Sequence, residues 1–396
     1  MQPIDTGSTS FEALIRRNCL YVDKTAYLYR LITSGSQYFC FRPHGFGKSL
    51  TLSTLEAIFQ GRRELFRSLA IDSMDYDWKT YPIVHIDFSS CDSTDARMLE
   101  AWLKGQLAEI AKRYGICLQE ELPSDDMFPN LIEALYEKAG QVVVLVDGYE
   151  DVLATHLFSS EVDEMHRVLN IFYPTIKAKE PIIRFALICG ETKYAIRTPF
   201  SGFNNLTDIT MSPHYATLFG YTQQEVEQYF KEYIDKGIAS IGMDRESFLD
   251  RLKRRYGGYC FCDDCETVYH PVSIGKCFEE GGNRFRDYWI APDGSQLAMD
   301  IAEQNGFDPD RNLENPVDRS YLGTFDILSL RGSVVTDEEL LSLLEQTGYL
   351  TISPKTPMGS QLIWLDFPNE EVRHAFWSKY RKKDNGGTRS GWEPSS

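Results

Sequence analysis

Residues Tyr38 to Phe59 read YFCFRPHGFGKSLTLSTLEAIF. The run opens apolar, Tyr38 to Phe41, and breaks at Arg42-Pro43. It turns through Gly45 and Gly47, then becomes periodic with Leu50, Leu52, Leu55, Ile58 and Phe59. That pattern predicts a buried strand, a glycine loop and a helix. The helix is expected to begin at Lys48-Ser49, so its unpaired backbone N–H groups point into the loop. Oriented amides, a helix dipole and a lysine charge are what gripping a phosphate requires. The Ser49 hydroxyl is then placed to ligate magnesium. Against the pattern G-x-x-x-x-G-K-[ST], Gly47, Lys48 and Ser49 fit, while Arg42 stands at the first glycine. The bland alternative is a lysine opening an ordinary helix. The candidate nucleotide-binding segment is the whole loop: Arg42, Pro43, His44, Gly45, Phe46, Gly47, Lys48, Ser49 and Leu50.

Composition bounds the rest. A chain of 396 residues, 42% hydrophobic and 13% aromatic, can bury sizeable cores in two or three domains. A formal net charge of −17 repels polyanions and disfavours broad nonspecific DNA binding. Nine cysteines, an odd count, are mostly isolated. The opening MQPIDTGSTS has neither a basic cluster nor an apolar core, and no apolar run reaches membrane-spanning length. The expectation is a soluble, reduced, cytoplasmic protein with no membrane partner.

Ile83 to Phe88, Val142 to Asp147 and Pro181 to Gly190 read as further strands, separated by amphipathic segments such as Ala96 to Tyr114, Phe128 to Ala139 and Ser160 to Phe172. Strands alternating with helices argue for an α/β fold, a parallel sheet with helices on both faces and ligand at the carboxyl ends of the strands. After Asp208 helical periodicity dominates, from Gln223 to Ile234 and Arg245 to Tyr256. A helix around Ser295 to Glu303 closes that region, and the polar stretch 305–320 looks like a linker. Glu338 to Gln346, Tyr349 to Ile352, Gln361 to Leu365 and Asn369 to Tyr380 read as helix, hairpin and helix, a winged-helix-like order. The expected organisation is a nucleotide-binding core over 8–212, a helical lid over 213–304, a winged-helix-like domain over 318–380 and a disordered tail over 381–396.

A phosphate loop needs a second acid to hold its metal, placed at the tip of a neighbouring apolar strand. Asp147, ending VVVLVD, is that acid by type and position. Its alternative role is a turn or helix-capping aspartate.

Here the chain resembles the bacterial AAA-ATPase-like proteins, P-loop NTPases often fused to a predicted PD-(D/E)XK nuclease. The resemblance runs through YVDKT (Tyr21 to Thr25), RPHGFGKSL, FSGFNNLTDIT (Phe200 to Thr210), RYGGY (Arg255 to Tyr259), VYHPVSI (Val268 to Ile274), TGYLTI (Thr347 to Ile352) and FPNEEVR (Phe367 to Arg373). It covers roughly residues 10–380. It implies ATP and Mg as cofactors, and that Arg42 in place of a glycine is the family's own loop. The resemblance also exposes departures. An arginine pair before F-G-K is His44-Gly45 here. The family's D-E-Y-D is Asp147-Gly148-Tyr149-Glu150, without the glutamate that would polarise the attacking water. The sensor threonine is Cys189, a poor donor to a terminal phosphate, followed by Glu191. Glu150 or Asp151 would have to reach in from the turn. After Phe376 too little chain remains for a nuclease, so no nucleic-acid cleavage is expected.

Other clusters are discounted. Cys260, Cys262, Cys265, Cys277 and His270 lack two-knuckle zinc spacing. Asn204-Asn205 and Asp208 read better as caps of a tight connection than as ligand contacts. Asp23-Lys24-Thr25 fits a helix N-cap region with a surface lysine as well as the adenine side. Tyr288-Trp289 reads as core. The resulting function is an ATP- and Mg-binding switch in which Lys48 neutralises phosphate and Ser49 and Asp147 hold the metal. Hydrolysis is weak or lost. The alternative is a degenerate scaffold whose winged-helix region binds protein or DNA.

Overall fold

The computed structural model describes residues 1–119, 121–192, 206–262, 266–289, 293–324 and 335–381. Helices α1 (Phe11–Arg16) and α2 (Thr25–Ser34) lead into β1 (Gln37–Phe41). Then come α3 (Lys48–Phe59), β2 (Ile83–Asp87), α4 (Ala96–Arg113), α5 (Ser124–Ala139) and β3 (Val142–Asp147). The core finishes with α6 (Asp151–Ala154), α7 (Val162–Leu169), α8 (Phe172–Ala178), β4 (Ile183–Gly190) and the short β5 (Thr207–Asp208). The strands make one sheet in the order β2-β3-β4-β1-β5, with every pairing parallel.

The apolar run that makes β3 is buried at every position, so helices cover both of its faces. From β1 the chain crosses outward through α3 to β2, then returns through β3 and β4. Right-handed crossovers in opposite directions put α3 on one face and α4, α5, α7 and α8 on the other. On α3's side, His85 meets Glu56 at 2.7 Å and the Phe185 and Phe59 rings pack 5.2 Å apart. In the second layer Phe172 packs against Phe88 and Phe128. β1 and β4 are parallel neighbours, so their carboxyl ends lie side by side at one edge of the sheet. The helix expected over Ser160 to Phe172 is two helices, because Pro174 has no N–H for the Asn170 carbonyl and crowds it.

The next unit comprises β6 (Tyr221–Thr222), α9 (Gln223–Tyr229), α10 (Lys231–Ile241), α11 (Arg245–Tyr256), β7 (Val268–Tyr269) and α12 (Pro271–Glu279). It has a separate core that includes Val226, Phe230, Ile234, Phe248, Leu252 and Phe278. Thr222 and Glu225 form a capping box at the start of α9. Glu225 also accepts from Lys24 at 2.7 Å, which ties this unit to α2. Lys24 is therefore a buried tie and not a surface lysine.

The last unit comprises α13 (Asp293–Gln304), α14 (Pro309–Asn312), β8 (Val317–Asp318), α15 (Arg319–Thr324), α16 (Asp337–Gln346), β9 (Thr351–Ile352), β10 (Leu362–Ile363), β11 (Leu365–Asp366) and α17 (Glu370–Arg381). β9 pairs antiparallel with β11, and β8 with β10. Two expectations change here. The stretch 305–320 is folded: Phe307 is buried against Phe376, and Val317 pairs with Ile363. Its polar composition hid two apolar anchors. Helix α13 packs on α16 and α6, and its Ala298 and Met299 join the core of the sheet. Asn204-Asn205 and the expected tail beyond Arg381 lie outside the described residues. Among the described residues no helix is long and apolar enough to cross a membrane.

The seam between the last two units is closely fitted. Asn369 donates to the Gly257 carbonyl at 2.8 Å and accepts from the Val372 N–H at 3.0 Å. Gly258, at φ 86°, lies so close to the Pro368 carbonyl that a Cβ would overlap it. Glu371 is fully buried and accepts the backbone N–H groups of Tyr288 and Trp289. Burial pushes its carboxyl up to about 7, despite the hydrogen bonds from Ser273 and those two amides. Gly258→Ala should cost more than about 2 kcal/mol, left-handed strain plus collision, while Gly242→Ala, equally left-handed but in open space, should cost only about 1. Chemical denaturation of both variants checks this. Glu371 binds its proton more tightly folded than unfolded, so its contribution is full below pH about 4.5 and is lost as pH rises through about 7. Glu371→Gln should therefore gain on the parent chain by up to about 3 kcal/mol between pH 4.5 and 8, read from paired denaturation curves.

Candidate phosphate-binding site

Helix α3 starts at Lys48 behind Gly47, whose φ of 90° and ψ of 25° lie in the left-handed region. Gly45 also has positive φ, 78°. Between them the loop reverses direction as only glycine does without strain. A Cβ built at Gly47 would meet nothing within 4 Å, so the space before the loop is open. Among the described residues, the backbone N–H groups of His44, Gly45, Phe46, Gly47, Lys48 and Ser49 donate to no protein acceptor. Six consecutive amides are left for something else.

The carbonyls, in contrast, are occupied. Lys48 Nζ donates to the Arg42 carbonyl at 2.8 Å and the Pro43 carbonyl at 3.1 Å. The His44 carbonyl lies 2.9 Å from His270 Nε2. His270 sits at the N-terminus of α12, where its Nδ1 accepts from the Ser273 N–H at 3.2 Å. That fixes the tautomer with the proton on Nε2, which donates to the loop. Burial pushes the imidazole down to about 4, so it stays neutral.

The loop is also held from outside. The Phe46 ring is buried edge-to-face among Tyr259 (4.8 Å), His270 (5.1 Å) and Phe261 (5.2 Å). Gly348 abuts Pro43: a Cβ there would fall 2.7 Å from the Pro43 Cβ. The Ser273 hydroxyl lies 2.8 Å from His270 Nδ1 and bonds to Glu371. A hydrogen-bonded path therefore runs from the His44 carbonyl through α12 to α17. Three distant stretches, RYGGY, VYHPVSI and TGYLTI, meet on one loop.

Arg42 gives the site its carbonyl but not its charge. Its guanidinium is buried, donates to the carbonyls of Phe41 and Thr210 at 2.7 Å each, and lies 4.1 Å from the Phe261 ring centre. A bulky residue is tolerated at the pattern's first glycine because its side chain leaves into the core.

Below the loop, the Ser49 hydroxyl is hydrogen-bonded to Asp147. Asp147, Cys189 and Cys40 share one register at the tips of β3, β4 and β1. Burial raises the Asp147 carboxyl, while Ser49 and Lys48 oppose the rise. A hydroxyl and a carboxylate side by side are a hard oxygen donor pair, which fits magnesium. Burial pushes the Cys40 thiol up to about 11 and Cys189 well above its ordinary value, so both stay neutral.

Glu191, just past β4, pairs with His44 at 2.9 Å and approaches Lys48 at 3.8 Å. Burial opposes its charge, but Lys48 and His44 outweigh burial and keep its carboxyl below the ordinary value. Glu150 is fully buried, and its Oε1 accepts the N–H groups of Glu191 and Thr192. Burial and then Asp151 raise its carboxyl well above the ordinary range, and its amide partners make it a bracket between two strand tips.

Leu50 lies half-buried on α3 and offers no polar group beyond its backbone. Asp208 accepts the Thr210 N–H at 2.9 Å, a turn cap. Trp289 is buried against Tyr349. Cys260 donates to the Cys262 carbonyl at 2.8 Å, and among the described residues no group of three or more His, Cys, Asp or Glu side chains could hold a metal. Cys265 lies outside those residues. Sequence reasoning weighed His270 only as a zinc ligand. Its true signal was local: His-Pro with a serine three on marks a helix start.

Known proteins resemble parts of this chain. Residues 5–198 match the family model described as "Predicted AAA-ATPase". An "Uncharacterized protein in vnfD 5'region" from Azotobacter chroococcum mcd 1 is 33% identical over 359 residues, 89% of this chain. The chain spans 64% of that relative's length. A solved structure, the Aeropyrum pernix ORC2 protein in ADPNP-ADP complexes, aligns over 94% of each chain with a TM-score of 0.35 and 13% identity. At that likeness the strand order, not the neighbour, defines the fold. Residues 5–198 of this chain are similar to an AAA-ATPase-like family.

Proposed function

We propose that this chain binds Mg-ATP between its sheet and its helical unit, and that binding acts as a conformational switch. The observation that carries the reading is the polarity of one loop. Among the described residues, the six amides from His44 to Ser49 have no protein acceptor, while the carbonyls of Arg42, Pro43 and His44 are bound from behind. Such a nest, at a helix N-terminus with a lysine beside it, favours a polyphosphate. Gly47 would admit close approach of the backbone, Lys48 would move from the loop carbonyls to the phosphates, and Ser49 and Asp147 would hold magnesium directly and through water. When bound, magnesium neutralises phosphate charge and orients the terminal phosphoryl group.

The switch follows from the clamp. His270, Phe46 and Gly348 join the loop to the helical and C-terminal units, so a shift of the loop is felt by both. The C-terminal unit has the helix and hairpin order of a winged helix, with fifteen acidic and seven basic residues from Asp293 to Arg381. That balance favours a protein partner over DNA. A second reading, a scaffold with a disused pocket, draws on Glu191. One carboxylate already pairs with both His44 and Lys48.

Titration calorimetry with Mg-ATP separates the two. The parent chain should bind, and Lys48→Ala should lose about 30-fold or more in affinity, the loss of a charge-assisted hydrogen bond of about 2 kcal/mol. Equal heats from both proteins would contradict the switch.

A further inference from the structure

We propose that Asp151 is the carboxylate that faces the attacking water, replacing in space the side chain that position 148 lacks. The inference rests on the Mg-ATP reading above. Gly148 sits directly after Asp147 at φ 61°, and Asp151 donates its N–H to the Gly148 carbonyl at 3.0 Å. This tight turn brings Asp151 back over Gly148. A Cβ built at Gly148 would lie 2.5 Å from Asp151 Oδ2. The Asp151 carboxylate thus fills the space a side chain at 148 would enter, and it comes from three residues on.

Its surroundings fit the role. Asp151 is exposed to solvent, so water reaches it, whereas Glu150 is buried and bonded to backbone amides. Asp151 feels the charges of Glu191, Lys48, Asp147 and His44, the groups that frame the loop mouth. Partial desolvation and then Glu191 raise its carboxyl, while Lys48 opposes the rise. In the step, one O–H proton of water passes to the Asp151 carboxylate as the water oxygen bonds the terminal phosphorus. The bridging P–O bond breaks, its electron pair leaves on the diphosphate oxygen, and the proton is later released to solvent. Gly148 therefore relocates this carboxylate and does not abolish it.

The test uses the full chain and its Asp151→Asn, Asp151→Glu and Lys48→Ala variants. Phosphate release from Mg-ATP and calorimetric binding of Mg-ADP are both measured. The parent should release phosphate above the Lys48→Ala background. Asp151→Asn should fall by about 100-fold or more, yet bind Mg-ADP at least as tightly, because a negative charge is gone. Asp151→Glu should recover part of the rate. Turnover by Asp151→Asn equal to the parent overturns the proposal. So does a parent that binds Mg-ADP without any turnover, and that result leaves the binding reading standing. A parent that binds no Mg-nucleotide overturns both.

Discussion

A loop that grips phosphate must turn its N–H groups inward, so its carbonyls and its tip have to be held from outside. That requirement organises this molecule. Lys48 holds two carbonyls from within the loop, and His270 holds a third from another unit. Phe46, at the tip, has no place in phosphate chemistry. It is an anchor, a large ring buried in an aromatic box whose walls are Tyr259, Phe261 and His270. A free loop would lose its inward amides to disorder or to its own carbonyls. Here neither happens, because the fold closes over its outer side.

The same constraint explains how the site tolerates its unusual residues. Arg42 replaces a glycine, but its charge is used beneath Phe261 and against the Thr210 carbonyl. The cation that remains at the mouth is Lys48, with His44 beside it and Glu191 between them. A neutral thiol replaces a hydroxyl at the tip of β4. The result is a site richer in carboxylates than in cations. On the proposed reading, such a site would hold a polyphosphate mainly through backbone amides and a divalent metal, and only secondarily through side-chain charge.

Much of this was legible in the residues. The continuous apolar run VVVLVD with its acidic end gave β3 and placed Asp147 at its tip, because a strand covered on both faces has no polar alternation. Glycines before Lys48-Ser49 gave the loop. Other features were not legible, for reasons that are physical. The segment after Asn305 reads polar, yet two apolar residues, Phe307 and Val317, suffice to fold it onto a core. His270 looked like part of a cysteine cluster because sequence neighbours draw the eye. Its partner, the His44 carbonyl, is 226 positions away. Glu150 and Asp151 are adjacent and chemically alike, and only the turn at Gly148 decides which is buried and which is open. Local pattern gives the elements, while long-range packing assigns the roles.

The most direct measurement is a crystal structure of the full chain grown with ADP and magnesium. The account predicts the terminal phosphate of ADP on the amides of Gly45 to Ser49. Lys48 Nζ would have left the Arg42 and Pro43 carbonyls for the phosphate, with Phe46 still seated between Tyr259 and His270. A structure in which Lys48 keeps both carbonyls and Glu191, while the nucleotide is absent or lies elsewhere, would contradict it.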